Sequence, residues 1–345
     1  MTPGAGVPPG AGEPPGAGAP FVRTVLGDVA ASSLGITYSH EHLVIDCGGA
    51  VALDVDFLLD DVERMVGELA EAIALGLRSV VDAMPADAGR NVGKLAEIAR
   101  RTGVNVVAPT GVHHPRFYPD DHWSNRLTKA ELTELFIADV VDGIDELDYS
   151  APVVRRTEHR AGVVKVAGVD GGLGERECTI FAAAAAAHTA TGVPILTHCE
   201  KGSGALEQIR FLSDRGVDPA HVVVSHVDKV VDREYHRDIA ATGAVLEYDG
   251  AFRWGDKENG TLTLLGWMVE DGRTDSVVLG LDAARRSYLR AWGGRPGLRF
   301  LLGEFREAMT ERGIDDDIQR RFFVANPARA FAFASPGGRV TEPRP

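Results

Sequence analysis

The chain has 345 residues, 44% hydrophobic and 25% charged, enough for one large folded domain or two smaller ones. Its formal net charge is -14 with no block of Lys and Arg, which argues against nucleic acid or an anionic membrane as a partner. No apolar run approaches a bilayer-spanning length, and three separated cysteines, Cys47, Cys178 and Cys199, read as reduced thiols of a cytoplasmic protein.

Residues 1–20, "MTPGAGVPPGAGEPPGAGAP", are almost wholly Gly, Pro and Ala and lack the basic start and apolar stretch of a signal peptide. Such a segment cannot bury enough to fold and is expected to be a disordered tail. Residues 336–345 are expected to be a second tail, leaving 21–335 as one domain. Within it, short Val- and Ile-rich runs alternate with longer amphipathic stretches. The runs are "GITYSHEH" (35–42), "LRSVVDAM" (77–84), "VNVVAPTGV" (104–112), "GVVKVAGV" (162–169), "VPILTHCE" (193–200), "HVVVSHVD" (221–228), "GAVLEYD" (243–249) and "SVVLGLD" (276–282). Nearly continuous apolar character suits strands covered on both faces. Helical signatures follow them over 60–76, 91–103, 128–147, 175–192, 204–216, 232–243, 261–272 and 297–313, several closing on Gly. Eight strand–helix pairs imply a parallel sheet closed into a (β/α)8 TIM barrel. An open doubly wound sheet is the alternative, but no Gly-rich phosphate loop follows the first strand.

On a strand, His40 and His42 point to one face and Glu41 to the other. The pair alone is a weak metal signal. Barrel active sites, however, lie at the C-terminal strand ends, and those ends also carry Lys165, His198, His226 and Asp282. Singly, His198 and His226 read as core histidines, and Asp282 as a helix N-cap. Four histidines, a lysine and an aspartate at one mouth make that joint reading improbable. Glu41 and Cys199, one position past ligand candidates, are expected to face the helices.

"GITYSHEHL", "AGVVKVAGV", "VPILTHCEKGSGALEQ", "VVVSHVDK", "VVLGLDAA" and "NPARAF", in that order, resemble the phosphotriesterase-like family of the amidohydrolase superfamily, which includes phosphotriesterases and lactonases. The resemblance covers nearly the whole chain after the tail. It implies a barrel with two divalent metals: His40, His42 and Asp282 on the more buried one, His198 and His226 on the more exposed one, and Lys165 bridging both as a CO2-derived carbamate. Zinc is expected first, and the ligands also admit manganese, cobalt or iron. A bridging water would lose its proton to become the nucleophile, and Asp282 would accept a proton as it attacks. Homodimerisation is expected by analogy alone.

The loops offer substrate contacts. After the third strand stand His113 and His114, where related enzymes often carry an aromatic residue; an exposed loop pair is the plainer alternative. After the seventh stand Arg253 and Trp254, and after the eighth Arg285, Arg286, Tyr288 and Trp292. In a chain of charge -14, loop arginines at an active-site mouth suit an anionic or carbonyl-rich small-molecule substrate, although such arginines also form solvated surface pairs. The expected activity is hydrolysis of a lactone or other carboxylic ester. An amide or phosphoester on the same metals is the enzymatic alternative, and a binding barrel that has lost catalysis the non-enzymatic one.

Overall fold

A computed structural model describes residues 15, 16, 18–255 and 258–334, so most of the expected tail over 1–20 and all of that over 336–345 lie outside the described residues. The described chain opens with an antiparallel hairpin, β1 (Phe21–Thr24) and β2 (Gly27–Ala30), which the sequence reading did not single out. The barrel follows: β3 (Ile36–Glu41), β4 (Leu77–Asp82), β5 (Asn105–Val107), β6 (Pro109–Val112), β7 (Val163–Ala167), β8 (Ile195–His198), β9 (Val222–Ser225), β10 (Val245–Tyr248) and β11 (Val277–Leu279). All neighbours pair in parallel, in the orders β3-β4-β5 and β6-β7-β8-β9-β10-β11. β5 and β6 are two halves of the third predicted strand. Pro109 has no N–H for the ladder, which breaks it there, while Ala108 O still accepts from Gly162 N at 2.8 Å. Closure comes from Leu281 N and Asp282 N, which donate to His40 O at 3.3 and 3.0 Å. Eight strands therefore form a closed (β/α)8 barrel, as the alternation predicts.

The two-residue strand period layers the interior. Val163, Leu196, Val223, Val245 and Val278 share one apolar cluster with Val22 and Val29 of the hairpin and with Phe331. The hairpin thus buries its apolar side against the base of the barrel. Two residues further along the same strands come Lys165, His198, Ser225, Glu247 and Gly280, the layer facing the mouth. Gly280 has a steric reason: a Cβ there would lie 2.7 Å from His40 O and 2.9 Å from Glu247 Oε1.

Helices Val62–Ala74, Val92–Thr102, Lys129–Val141, Glu175–Thr191, Ala205–Ser213, Arg233–Ala241 and Gly260–Glu270 cover the outside. Side chains of Asp61 and Asn91 cap their helices, and Thr128 with Glu131 forms a reciprocal capping box. Two expectations were too long. The helix expected over 128–147 stops at Val141, because beyond it the chain turns at Gly143 (φ +120°) and Asp145 accepts from the backbone of Tyr149 and Arg155. The one expected over 297–313 breaks at Gly303 into a 3-10 turn, Leu298–Leu301, and a helix, Glu304–Glu311. None of the three cysteines is paired, and among the described residues no helix is long and apolar enough to cross a membrane.

Candidate metal centre

The barrel mouth holds a cleft of about 440 Å³ whose lining includes His40, His42, His113, His198, His226 and Asp282. That size suits a small metabolite. His42 Nε2 lies 3.2 Å and His40 Nε2 3.7 Å from Asp282 Oδ1, and one atom from each of these three residues falls within a 4.8 Å group. The ring of His226 stands 4.8 Å from that of His40 and 4.5 Å from that of His198, centroid to centroid. Lys165 is fully buried beside them. Five strands thus bring all six residues of the predicted set to one place.

Local structure holds them there. Glu41 is buried and accepts from Leu281 N at 2.8 Å and Ala283 N at 3.2 Å, pinning the backbone on both sides of Asp282. Asp82 accepts from Leu43 N at 2.8 Å and Met84 N at 3.1 Å, fixing the turn after His42. His226 (φ +66°) and Asp282 (φ +51°) both sit in the left-handed region, a strain that non-glycine residues carry where the surroundings enforce it. Cys199 is buried, with Sγ 3.7 Å from Gln208 Oε1 on the neighbouring helix.

The electrostatics suit cations. Burial pushes the imidazoles of His40 and His226 well below their usual value and that of His198 to about 4, so all three are neutral and keep a lone pair at pH 7. Burial pushes Lys165 down to about 8, against the pull of Asp282, Glu247 and Asp249. Burial also opposes ionisation of Asp282, but Arg253, His42 and the other imidazoles outweigh it and hold the carboxyl well below the usual range. Lys165 Nζ and His198 Nδ1 are enclosed and have no hydrogen-bond partner. Buried polar atoms are normally paired, and a set of orphaned nitrogens beside carboxylates is what a divalent pair would satisfy. The donors fit zinc-type ligation, with Lys165 needing conversion to an anion before it could join.

The loop candidates divide. His113 lines the cleft and turns Nδ1 to accept from His114 N at 2.7 Å. His114 lies outside the lining, with Nε2 3.7 Å from Glu200 Oε2. Arg253, its side chain 26% exposed, reaches the cleft but donates to Asp282 O at 2.5 Å and Oδ2 at 3.0 Å. Trp254 turns elsewhere, its indole N–H bonded to Thr261 Oγ1 at 3.0 Å. Arg285 and Tyr288 line the cleft, whereas Arg286 bonds Leu58 O and Asp60, and Trp292 lies under Arg64. Several site residues went unnoticed in the sequence, among them Glu200, which contacts His198, and the cleft-lining Phe57, Arg116 and Phe117. Glu247 and Asp249 follow Val245 at intervals of two and so share its inward face; Lys229 lines the cleft three residues after His226. The strand alternation was the signal for Glu247 and Asp249.

Because Arg253 holds Asp282, Arg253→Ala should lower kcat/KM about tenfold or more while metal content stays unchanged, since the loss is a charge-assisted contact to the carboxylate that takes the proton. Steady-state kinetics with metal analysis checks this, and unaltered kinetics on the best substrate would contradict it.

The sequence profile of the phosphotriesterase family matches residues 20–331. The chain belongs to that family. It is 33% identical over 324 residues to the phospho-furanose lactonase of Mycoplasmopsis synoviae (strain 53), covering 91% of this chain and 92% of the relative. Identity to the phosphotriesterase homology protein of Escherichia coli (strain K12) is 31%, over 86% of this chain and 98% of that one. Among solved structures, a lactonase from Listeria monocytogenes superposes with a TM-score of 0.82 at 31% identity, covering 91% of this chain and all (100%) of the other. An amidohydrolase from Mycoplasma synoviae gives a TM-score of 0.89 at 31% identity, with 92% and 93% covered. As a member of the phosphotriesterase family, the protein is a metal-dependent hydrolase.

Proposed function

We propose that this enzyme hydrolyses a lactone that carries an anionic group, using two divalent metals held by His40, His42, His198, His226, Asp282 and a carbamylated Lys165. The observation that carries the substrate reading is Lys229. Arg116, Arg253 and Arg285 at the cleft each face a carboxylate, on Glu200, Asp282 and Asp54. Lys229 lines the same cleft and has no carboxylate partner among the described residues. An unpaired ammonium at the rim of a chain of charge -14 is suited to a phosphate or carboxylate on the substrate. Relatives named phospho-furanose lactonase in two Mycoplasmopsis species support the same class.

Bound metals would polarise the scissile carbonyl and ease deprotonation of water. The protein's own residues do the rest. Asp282, held ionised by Arg253 and close to His42, is placed to take a proton. His113, with Nδ1 occupied by backbone, keeps its proton on Nε2 and can donate to a substrate oxygen. Phe57, Phe117 and Tyr288 supply the apolar and aromatic walls of the cleft.

A panel of lactones with and without a phosphate, aryl esters, N-acyl amides and phosphotriesters tests the reading. The phosphorylated lactone should be turned over best, and Lys229→Ala should raise its KM about tenfold or more while leaving a neutral lactone within about twofold. Equal wild-type rates on charged and neutral lactones would remove the anionic part. The second reading, phosphoester hydrolysis, draws on the aryldialkylphosphatase of Saccharolobus solfataricus, 27% identical. Faster turnover of a phosphotriester than of any lactone would establish it instead.

A further inference from the structure

Two imidazoles of the cleft are each held by a glutamate on one ring nitrogen. His40 Nδ1 lies 3.2 Å from Glu247 Oε2, in contact also with Ser225 Oγ at 3.1 Å, and both the histidine and the glutamate are sealed from solvent. His198 Nε2 lies 2.8 Å from Glu200 Oε2. The two contacts take different nitrogens, Nδ1 in one ring and Nε2 in the other. A carboxyl offers an acceptor oxygen, so the nitrogen it touches carries the proton and the opposite one presents a lone pair. In His40 that opposite atom is Nε2, which faces Asp282. In His198 it is Nδ1, enclosed and without a partner.

The glutamates also belong to different halves of the site. His40 groups with His42 and Asp282 and also, together with Glu247 itself, with His226 and Asp249, whereas His198 stands in neither group and its ring lies 4.5 Å from that of His226. Their surroundings differ as well. Glu247 sits on the inner face of β10, fully enclosed. Glu200 is 16% exposed and accepts from Arg116 Nη2 at 2.7 Å, so it ties His198 to a side chain of the cleft wall.

We propose that Glu247 and Glu200 are separate positioning residues for the two halves of the metal pair. Glu247 fixes the tautomer and orientation of His40. Glu200 fixes those of His198 and couples that half to Arg116 at the mouth. This rests on the two-metal reading above. Carboxylates placed behind metal-binding imidazoles typically contribute about 10–100-fold in metal affinity.

The test is zinc binding to the full chain, measured by competition with a chromophoric chelator, beside the melting temperature of the metal-free protein. Wild type should show two zinc sites. Glu200→Ala should weaken one of them about 10–100-fold and leave the other within about twofold, and Glu247→Ala should do the reverse. Gln at either position keeps an acceptor oxygen and should recover most of the affinity. Should Glu247→Ala fail to fold, Glu247→Leu, which fills the space without an acceptor, carries the same expectation. In a His198→Ala background, Glu200→Ala should cost no further affinity while Glu247→Leu still weakens the remaining site. Arg116→Ala should weaken the same site as Glu200→Ala, by less. Equal weakening of both sites by each variant, or lowered melting of the metal-free protein with unaltered zinc affinities, would overturn the proposal. A wild-type chain that binds no zinc would defeat the two-metal reading itself, before any variant is compared.

Discussion

Lys165→Ala is expected to reduce bound metal from about two ions per chain to fewer than one and to lower hydrolysis by about 10³-fold or more, roughly 4 kcal/mol of barrier. The side chain is fully buried, its Nζ has no hydrogen-bond partner, and burial drives it toward the neutral amine. A neutral amine can add to CO2: a C–N bond forms, one C=O electron pair moves to oxygen, and a proton leaves the nitrogen for solvent. The product is an anion with two oxygens, able to touch both halves of the site, where an ammonium would be repelled by two dications. Lys165→Glu, which places a carboxylate near the same point, should hold more metal than Lys165→Ala, and a short carboxylic acid in solution should partly restore the alanine variant. Growth or reconstitution with ¹³C-labelled bicarbonate should yield a carbamate carbonyl signal that both variants lack. A fully metallated, active Lys165→Ala protein would end the bridging role.

Asp282→Asn should lower kcat by about 10²–10⁴-fold, the usual contribution of a placed general base. The amide keeps the size of the carboxylate and one acceptor for Arg253, now 3.0 Å from Oδ2, and it stays near His42. It cannot take a proton. KM for the best lactone should stay within about twofold if substrate binding rests on the rim cations rather than on Asp282. Metal content measured on the same sample separates proton transfer from lost ligation. A variant with two metals and kcat within about tenfold of wild type would assign the base elsewhere.

Much of this protein is written in local periodicity. Strand alternation puts His40 and His42 on one face, Lys165 two residues beyond Val163, and His198 two beyond Leu196; eight apolar runs separated by amphipathic helices leave few ways to cover a parallel sheet other than a barrel. Those features depend on neighbours within a few residues, so one strand or one helix displays them. Other features depend on which strand lies beside which. Glu41 reaches Leu281 N across 240 positions of sequence, and Glu247 meets His40 across 207. No local pattern encodes either contact, because register and barrel closure set them.

The arginines show the same division. In the sequence, Arg253, Arg285 and Arg286 are equivalent loop cations. In the fold, one holds Asp282, one pairs with Asp54 at the rim, and one turns to Asp60 away from the cleft. The hairpin of β1 and β2 is too short to register as a pattern and gains meaning only by closing the base of the barrel with Val22 and Val29. Sequence by itself determined the barrel and placed the six residues at its strand ends, since period and strand position suffice for both, although His226, one residue out of phase with inward Ser225, is brought into the site only by its left-handed turn (φ +66°). Tertiary structure alone decided which carboxylates back the imidazoles and which cleft cation has no carboxylate partner among the described residues, since long-range packing selects among chemically equal side chains.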